Sequence, residues 1–214
     1  GMENGKVYWS NWSGLSDVSQ FIQVQRGLGA SALGISSVGG TMNMVTKSTE
    51  AQKGGSAYFG IGNDGFRKYS VSFSTGLMDN GWAITFMGSL NTGDGYVKGT
   101  NYEGWTYFGN ISKVINDHHK LSLTAFGAPQ WHNQRSTMHY IEDYKNSPDG
   151  GRFNNGYGYI NGEAVGSGYG YNYYHKPQVS LNHYWTIDEK STLTTSLYGS
   201  MATGGGRRAR GAMS

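Results

Sequence analysis

From residue 56 onward the chain alternates apolar and polar positions with a period of two. Tyr69, Val71, Phe73 and Leu77 fall on one parity, and Ser70, Ser72, Ser74 and Gly76 on the other. Trp82, Ile84, Phe86 and Leu90 likewise oppose Ala83, Thr85, Met87, Ser89 and Asn91, while Val179, Leu181, Trp185 and Ile187 oppose Ser180, Asn182, Tyr184 and Thr186. Successive side chains of a strand point to opposite faces, so each run predicts a strand with one apolar face and one small, polar face. Strands are predicted over residues 56–63, 66–78, 82–92, 104–115, 120–128, 178–188 and 191–202. Alternation alone fits a soluble sheet whose apolar face meets a core and a membrane wall whose apolar face meets lipid.

The connections separate these readings better. They are short at Asp64-Gly65 and at Asp79-Asn80-Gly81, longer over 93–103, tight over 116–119, very long over 129–177 and tight again over 188–190. From the second onward, short and long alternate, as in outer-membrane barrels that pair short periplasmic turns with longer extracellular loops. A loop as long as 129–177 is uncommon in a compact soluble domain, so it is either a functional excursion or a region whose strands escape the pattern, with a brief helix over 135–144.

Composition narrows the class further. The chain has 214 residues with 35 Gly, 16 Tyr and only 3 Pro, which is not ordinary globular usage. Charged residues are 14% and mean hydropathy is -0.54, values that suit strands apolar on alternate positions only. No run of eighteen apolar residues occurs, which excludes a transmembrane helix, and the absence of Cys discriminates little between compartments. A net charge of +3 is too small to argue for a polyanion, so no nucleic-acid partner is expected. Arg207, Arg208 and Arg210, set among glycines, read as a solvated loop more readily than as a nucleic-acid segment.

The N-terminal part is worded differently. Phe21 to Lys47 reads FIQVQRGLGASALGISSVGGTMNMVTK, in which Phe21, Gln23 and Gln25 oppose Ile22 and Val24, and Met42 and Met44 oppose Asn43 and Val45. Two strands with a Gly-rich connection follow from this pattern, and any soluble β protein can carry such a hairpin. The wording itself resembles the end of the plug domain of TonB-dependent outer-membrane receptors. The step at Val24 to Gly27, the small-residue segment Ala30 to Ser36, the turn Val38 to Gly40 and the final strand Thr41 to Lys47 carry the likeness. Met2 to Val18 adds a similarity to the plug of SusC/RagA-like receptors of gut bacteria.

The resemblance implies an all-β architecture: residues 1–47 as the C-terminal part of a plug, 48–55 as a hinge, and 56–214 as the first antiparallel strands of a barrel with an extracellular loop at 129–177. It implies a cell outer-membrane protein that imports a nutrient, such as a glycan, peptide or chelate, through a plugged barrel. Its partners would be that nutrient, outer-membrane lipid, the TonB complex through a region upstream, and a surface lipoprotein lid such as SusC-like receptors commonly carry. No leader precedes Gly1-Met2 and a GGGRRARG loop stands at the end, so the chain is expected to be a fragment, and the resemblance implies that the whole barrel has roughly 22 strands. A soluble carbohydrate-binding or adhesin module is the alternative, and it would need the apolar strand faces buried against each other.

Enzyme signals are thin, and neither catalysis, a cofactor nor a metal is expected. GLGASA at Gly27 to Ala32 matches a dinucleotide fingerprint, but glycines interrupt the helix that should follow. His118, His119, His132, His139, His175 and His183 are scattered without ligand spacing, and Glu142, Asp143, Asp149 and Glu163 have no fixed separation. Aromatic residues are the better lead. Tyr157, Tyr159, Tyr169, Tyr171, Tyr173 and Tyr174 alternate with Gly and Asn in the long loop, giving flat rings with hydroxyls that suit sugars or peptides. The same residues also suit strands prolonged beyond the membrane with Tyr at an aromatic girdle. Tyr8, Trp9 and Trp12 in the plug-like segment face a parallel choice between ligand contact and packing against a barrel wall. Tyr8, Trp9, Trp12, Tyr157, Tyr159, Tyr169 and Tyr171 are therefore the candidate ligand-binding residues.

Overall fold

The computed structural model of the chain describes residues 19–26, 40–46, 52–135, 138–160, 163–164 and 170–207. Two strands stand apart from the rest: β1 (Ser19–Arg26) pairs antiparallel with β2 (Gly40–Thr46), with Ile22 opposite Met44 and Val24 opposite Met42. This is the hairpin that the alternation between Phe21 and Val45 predicts.

The remaining strands are β3 (Gly54–Ile61), β4 (Arg67–Leu77), β5 (Trp82–Gly93), β6 (Tyr102–Val114), β7 (His119–Gly127), β8 (Gln130–Asn133), β9 (Tyr159–Ile160), β10 (Glu163–Ala164), β11 (Tyr171–His175), β12 (Gln178–Asp188), β13 (Ser191–Ser200) and β14 (Thr203–Gly206). All but the small β9–β10 pair belong to one antiparallel sheet of order β13-β12-β7-β6-β5-β4-β3, with β8, β11 and β14 prolonging it. Each long strand neighbours the next in sequence, the meander expected of a barrel wall.

Strand β8 continues the line of β7 beside β6, and β11 continues that of β12 beside β8. The breaks fall at Pro129 and Pro177, which have no N–H to donate to a ladder. Phe126 pairs with Phe108 below the break and Gln130 with Gly104 above it, so no residue is gained or lost and every side chain keeps its face. Both ends of the 129–177 segment are thus strand rather than loop. The excursion between them carries a helix, α1 (Ile141–Asn146), and a 3-10 turn, Gly150–Arg152. That helix is shorter and later than the expected 135–144. The Tyr140 N–H donates to the Asp143 carboxylate at its start, and Ser147, before Pro148, leaves helical geometry at its end.

The sheet is inverted with respect to a soluble one. On its outer face a row runs across β13, β12, β7, β6 and β5 as Leu197, Leu181, Leu123, Ile111 and Ile84, all directly opposite one another and between 38% and 71% exposed. Val179, Phe86 and Phe73 lie in the next row and are also exposed. The inner face is polar and covered: Ser74, Thr85, Thr106, Asn110, Ser112 and Ser122 are all buried. The hydroxyls of Ser74, Thr85, Ser112 and Ser122 and the Asn110 amide are paired, as buried polar groups require. Asn110 Nδ2 donates to Ser122 Oγ at 2.8 Å and to Thr124 Oγ1 at 2.7 Å, while its Oδ1 accepts from Ser112 at 2.7 Å. Ser74 and Thr85 pair at 3.2 Å. Among the described residues the inner face also carries an apolar cluster of Met87, Phe108, Phe126 and Ala128, with Ala83 buried beside the turn end.

One apolar residue leaves its expected face. Gly76, at φ 65°, sits in a β-bulge that shifts the register between Ser74 and Leu77, so Leu77 pairs with Ala83 instead of extending the row of Tyr69, Val71 and Phe73. Thr75 Oγ1 accepts the Ile84 N–H at 2.9 Å and closes the bulge.

Candidate functional site

The meander places its tight turns at one end, near Asp79, Asn116 and Glu189, and its longer connections at the other. The outer face carries rings near both ends. At the turn end Trp82 lies under the Lys113 ammonium at 5.2 Å, and His119 packs parallel to Trp185 at 5.6 Å. His119 and His183 also share a hydrogen bond of 3.0 Å between ring nitrogens. At the loop end Phe59 and Tyr69 pack at 5.1 Å, Trp105 Nε1 donates to Glu103 at 2.9 Å, and Trp131 stacks on Tyr171 at 6.2 Å. Glu103 and Lys113, ten residues apart on β6, mark the two levels. Ten residues span ~33 Å along a strand, or ~25 Å across a layer at a tilt of ~40°.

Above the loop-end rings three connections meet. Arg152 joins them: its Nη2 lies 2.6 Å from Asp64 Oδ1 in the β3–β4 turn, its Nη1 donates to the Tyr96 carbonyl at 3.2 Å, and its guanidinium lies over the Tyr96 ring at 4.8 Å. Two further bonds tie the same segments. The Lys98 N–H donates to the Arg152 carbonyl at 2.9 Å, and Asn154 Nδ2 donates to the Lys98 carbonyl at 2.7 Å. Lys98 Nζ reaches Asp149 at 2.5 Å, and the Asp94 N–H donates to the Asp64 carbonyl at 2.8 Å. Inside the excursion Arg135 donates to the Phe153 carbonyl at 2.8 Å, and His139 packs between Tyr144 and Phe153 at 5.8 Å and 5.1 Å.

The candidate ligand residues fall in different places. Tyr157 is half-buried in this loop assembly; its ring covers Gly99, which adopts φ 70° and where a Cβ would collide with the ring. Tyr171 lies in β11 on the face that carries Tyr173 and Trp131, 5.9 Å from Tyr173, with the Arg207 guanidinium over its ring at 5.7 Å. Tyr159 lies in β9, but its side chain is outside the described residues, as are Tyr8, Trp9, Trp12 and Tyr169 entirely. Tyr157 thus belongs to the loop assembly and Tyr171 to the end of the sheet. Residues that sequence reasoning passed over, Asp64, Tyr96, Lys98 and Arg152, make most of the contacts at the loop end. The turn wording SPDGGR around Arg152 is the local signal that was available.

The histidines and carboxylates have separate engagements. His118 Nδ1 meets the Thr186 carbonyl at 2.8 Å, His119 meets His183, and His175 Nε2 meets the Tyr107 hydroxyl at 3.0 Å. Asp143 caps α1, Asp149 pairs with Lys98, and Glu142 lies 3.8 Å from Lys145. Among the described residues no three His, Cys, Asp or Glu group as metal ligands. The GLGASA motif lies outside the described residues.

No protein-family model matches the chain, and neither does any curated protein. Among solved structures, the chain is similar to the ferric-catecholate import receptor Fiu from E. coli K12 in its open form, with a TM-score of 0.68 and 15% identity over 87% of this chain. The chain spans 29% of that receptor's length. The likeness is one of fold: an almost purely antiparallel sheet matching a barrel-like portion of a TonB-dependent receptor.

Proposed function

We propose that the chain is part of a TonB-dependent outer-membrane transporter, comprising the end of its plug and the first strands of its barrel, and that it takes part in the import of a nutrient. The observation that carries this reading is the inverted sheet. Rows of Leu, Ile, Val and Phe stay exposed while Ser, Thr and Asn are buried and paired. A soluble module would have to cover that outer face, since apolar patches of this extent are rare on soluble monomers. Lipid covers it without further protein, and the spacing of Glu103 and Lys113 fits the ~25 Å apolar band of such barrels.

In this reading β1 and β2 belong to the plug, residues 48–55 are the hinge, and the loop end faces the cell exterior, where ligand arrives. The TonB complex would act through a region upstream and displace part of the plug, so no bond of the nutrient is broken and no catalytic residue is needed. The wording of Met2 to Val18 and of Phe21 to Lys47 supports a SusC/RagA-like subtype, with a glycan or peptide as nutrient and a surface lipoprotein lid as partner. The name of the structural neighbour, a ferric-catecholate import receptor, supports a chelate instead. The position of Tyr157 over Gly99 at the loop end supports ligand contact for it, and the neighbouring Trp131 and Tyr173 support a girdle role for Tyr171.

Uptake decides the matter. Cells producing the full-length protein are expected to accumulate a labelled oligosaccharide, peptide or ferric chelate only while TonB is present. Uptake that persists without TonB, or no TonB-dependent uptake of any of the three, would overturn the reading.

A further inference from the structure

At the loop end, charged side chains join segments far apart in the chain. The excursion between β8 and β11 meets the β5–β6 loop through Arg152, Lys98, Asp149 and Asn154, and meets the β3–β4 turn through Arg152 and Asp64. Arg152 touches both. Its fork divides between a carboxylate and a carbonyl while its ring contact holds Tyr96, a geometry that a lysine ammonium cannot reproduce. The Lys98 N–H donates to the Arg152 carbonyl, so the 3-10 turn is aligned with Tyr96 to Lys98. That alignment sets Asn154 against the Lys98 carbonyl and Tyr157 over Gly99.

We propose that Arg152 is a positioning residue that makes the three loop-end connections one cap, which orders and moves as a unit and holds Tyr157 where ligand arrives. The part concerning ligand rests on the transporter reading; the cap itself does not. Half-exposed ion pairs hold loops reversibly, because water competes for each of them. An ion pair, a carbonyl bond and a ring contact converging on one guanidinium make the three connections cooperative, since each is held by contacts that the others supply.

Hydrogen exchange on the full-length protein in detergent tests the cap, comparing the native sequence with Arg152→Ala, Arg152→Lys and Asp64→Asn. Amides of 94–101 and 141–157 are expected to exchange together, about tenfold faster or more in Arg152→Ala, and faster to a smaller degree in the other two, with the β5, β6 and β7 amides unchanged. Unchanged exchange over 94–101 in Arg152→Ala would overturn the proposal, because the loops would then be independent. In uptake, Arg152→Ala is expected to raise the half-saturating nutrient concentration and leave the maximal rate as it is; a faster-exchanging cap with an unaltered half-saturation would refute the positioning role. If the native protein takes up nothing, the transporter reading fails, and exchange still decides whether the cap exists.

Discussion

Ile111 and Ser112 are neighbours in β6, yet the isoleucine is 44% exposed and the serine 1%. The same reversal holds for Leu123 against Ser122 in β7 and for Ile84 against Thr85 in β5. In water, leaving an aliphatic side chain uncovered forgoes about 1.5–3 kcal/mol each, and the sheet does so row after row. The contrast is intelligible if the medium outside is itself apolar. Then the inner face must satisfy its polar groups among themselves or with water, and Asn110 with its three hydroxyl neighbours does so. Which face faces water, rather than the strands themselves, separates this sheet from a soluble sandwich.

Substitutions on the two faces break or sharpen the contrast. The largest effect is expected for Phe108→Ala, at the centre of the inner apolar cluster, at about 3–5 kcal/mol in equilibrium unfolding of the protein in detergent. Phe86→Ala, on the facing strand but the outer side, should cost far less there, since detergent takes up the vacated space; equal costs would mean that both faces are packed against protein. Leu123→Arg comes next. In lipid vesicles it is expected to lose about 2–4 kcal/mol, as a charge near the bilayer midplane does, and to be nearly neutral if the outer face meets water. Asn110→Ala removes the amide that bridges three hydroxyls, leaving buried Ser112 and Ser122 only each other, and should cost about 1–3 kcal/mol, read from the shift in the denaturation midpoint. Lys98→Ala, at the exposed loop end, removes one ion pair and is expected to change stability by less than about 1 kcal/mol in the same assay.

Much of this was legible in the sequence because period-two alternation is a local signal. Gln178–Asp188 is a strand with the limits that the alternation gives, and the other six long strands are displaced by a residue or two at their ends. The failures have physical causes. Pro129 and Pro177 read as terminators, but the ladder resumes on both sides of them, so β8 and β11 were taken for loop. Gly76 gave no warning that its positive φ would turn Leu77 out of its row. Burial was not legible from the alternation, which is the same whether lipid or protein lies outside; only the connection lengths and the plug-like wording pointed to a wall. The loop-end assembly was the least visible, because Arg152 finds Asp64 and Tyr96 on connections that lie far away in the chain, and no spacing links them.

Spin labels placed one at a time along residues 121–126 of β7, in a chain that has no Cys of its own, would test the orientation of the wall most directly. With the full-length protein in lipid vesicles, labels at 121, 123 and 125 are expected to be accessible to oxygen and shielded from a water-soluble nickel chelate, and labels at 122, 124 and 126 not to show that preference. Oxygen preference at the even positions, or no alternation between the two sets, would contradict a wall whose outer face is lipid.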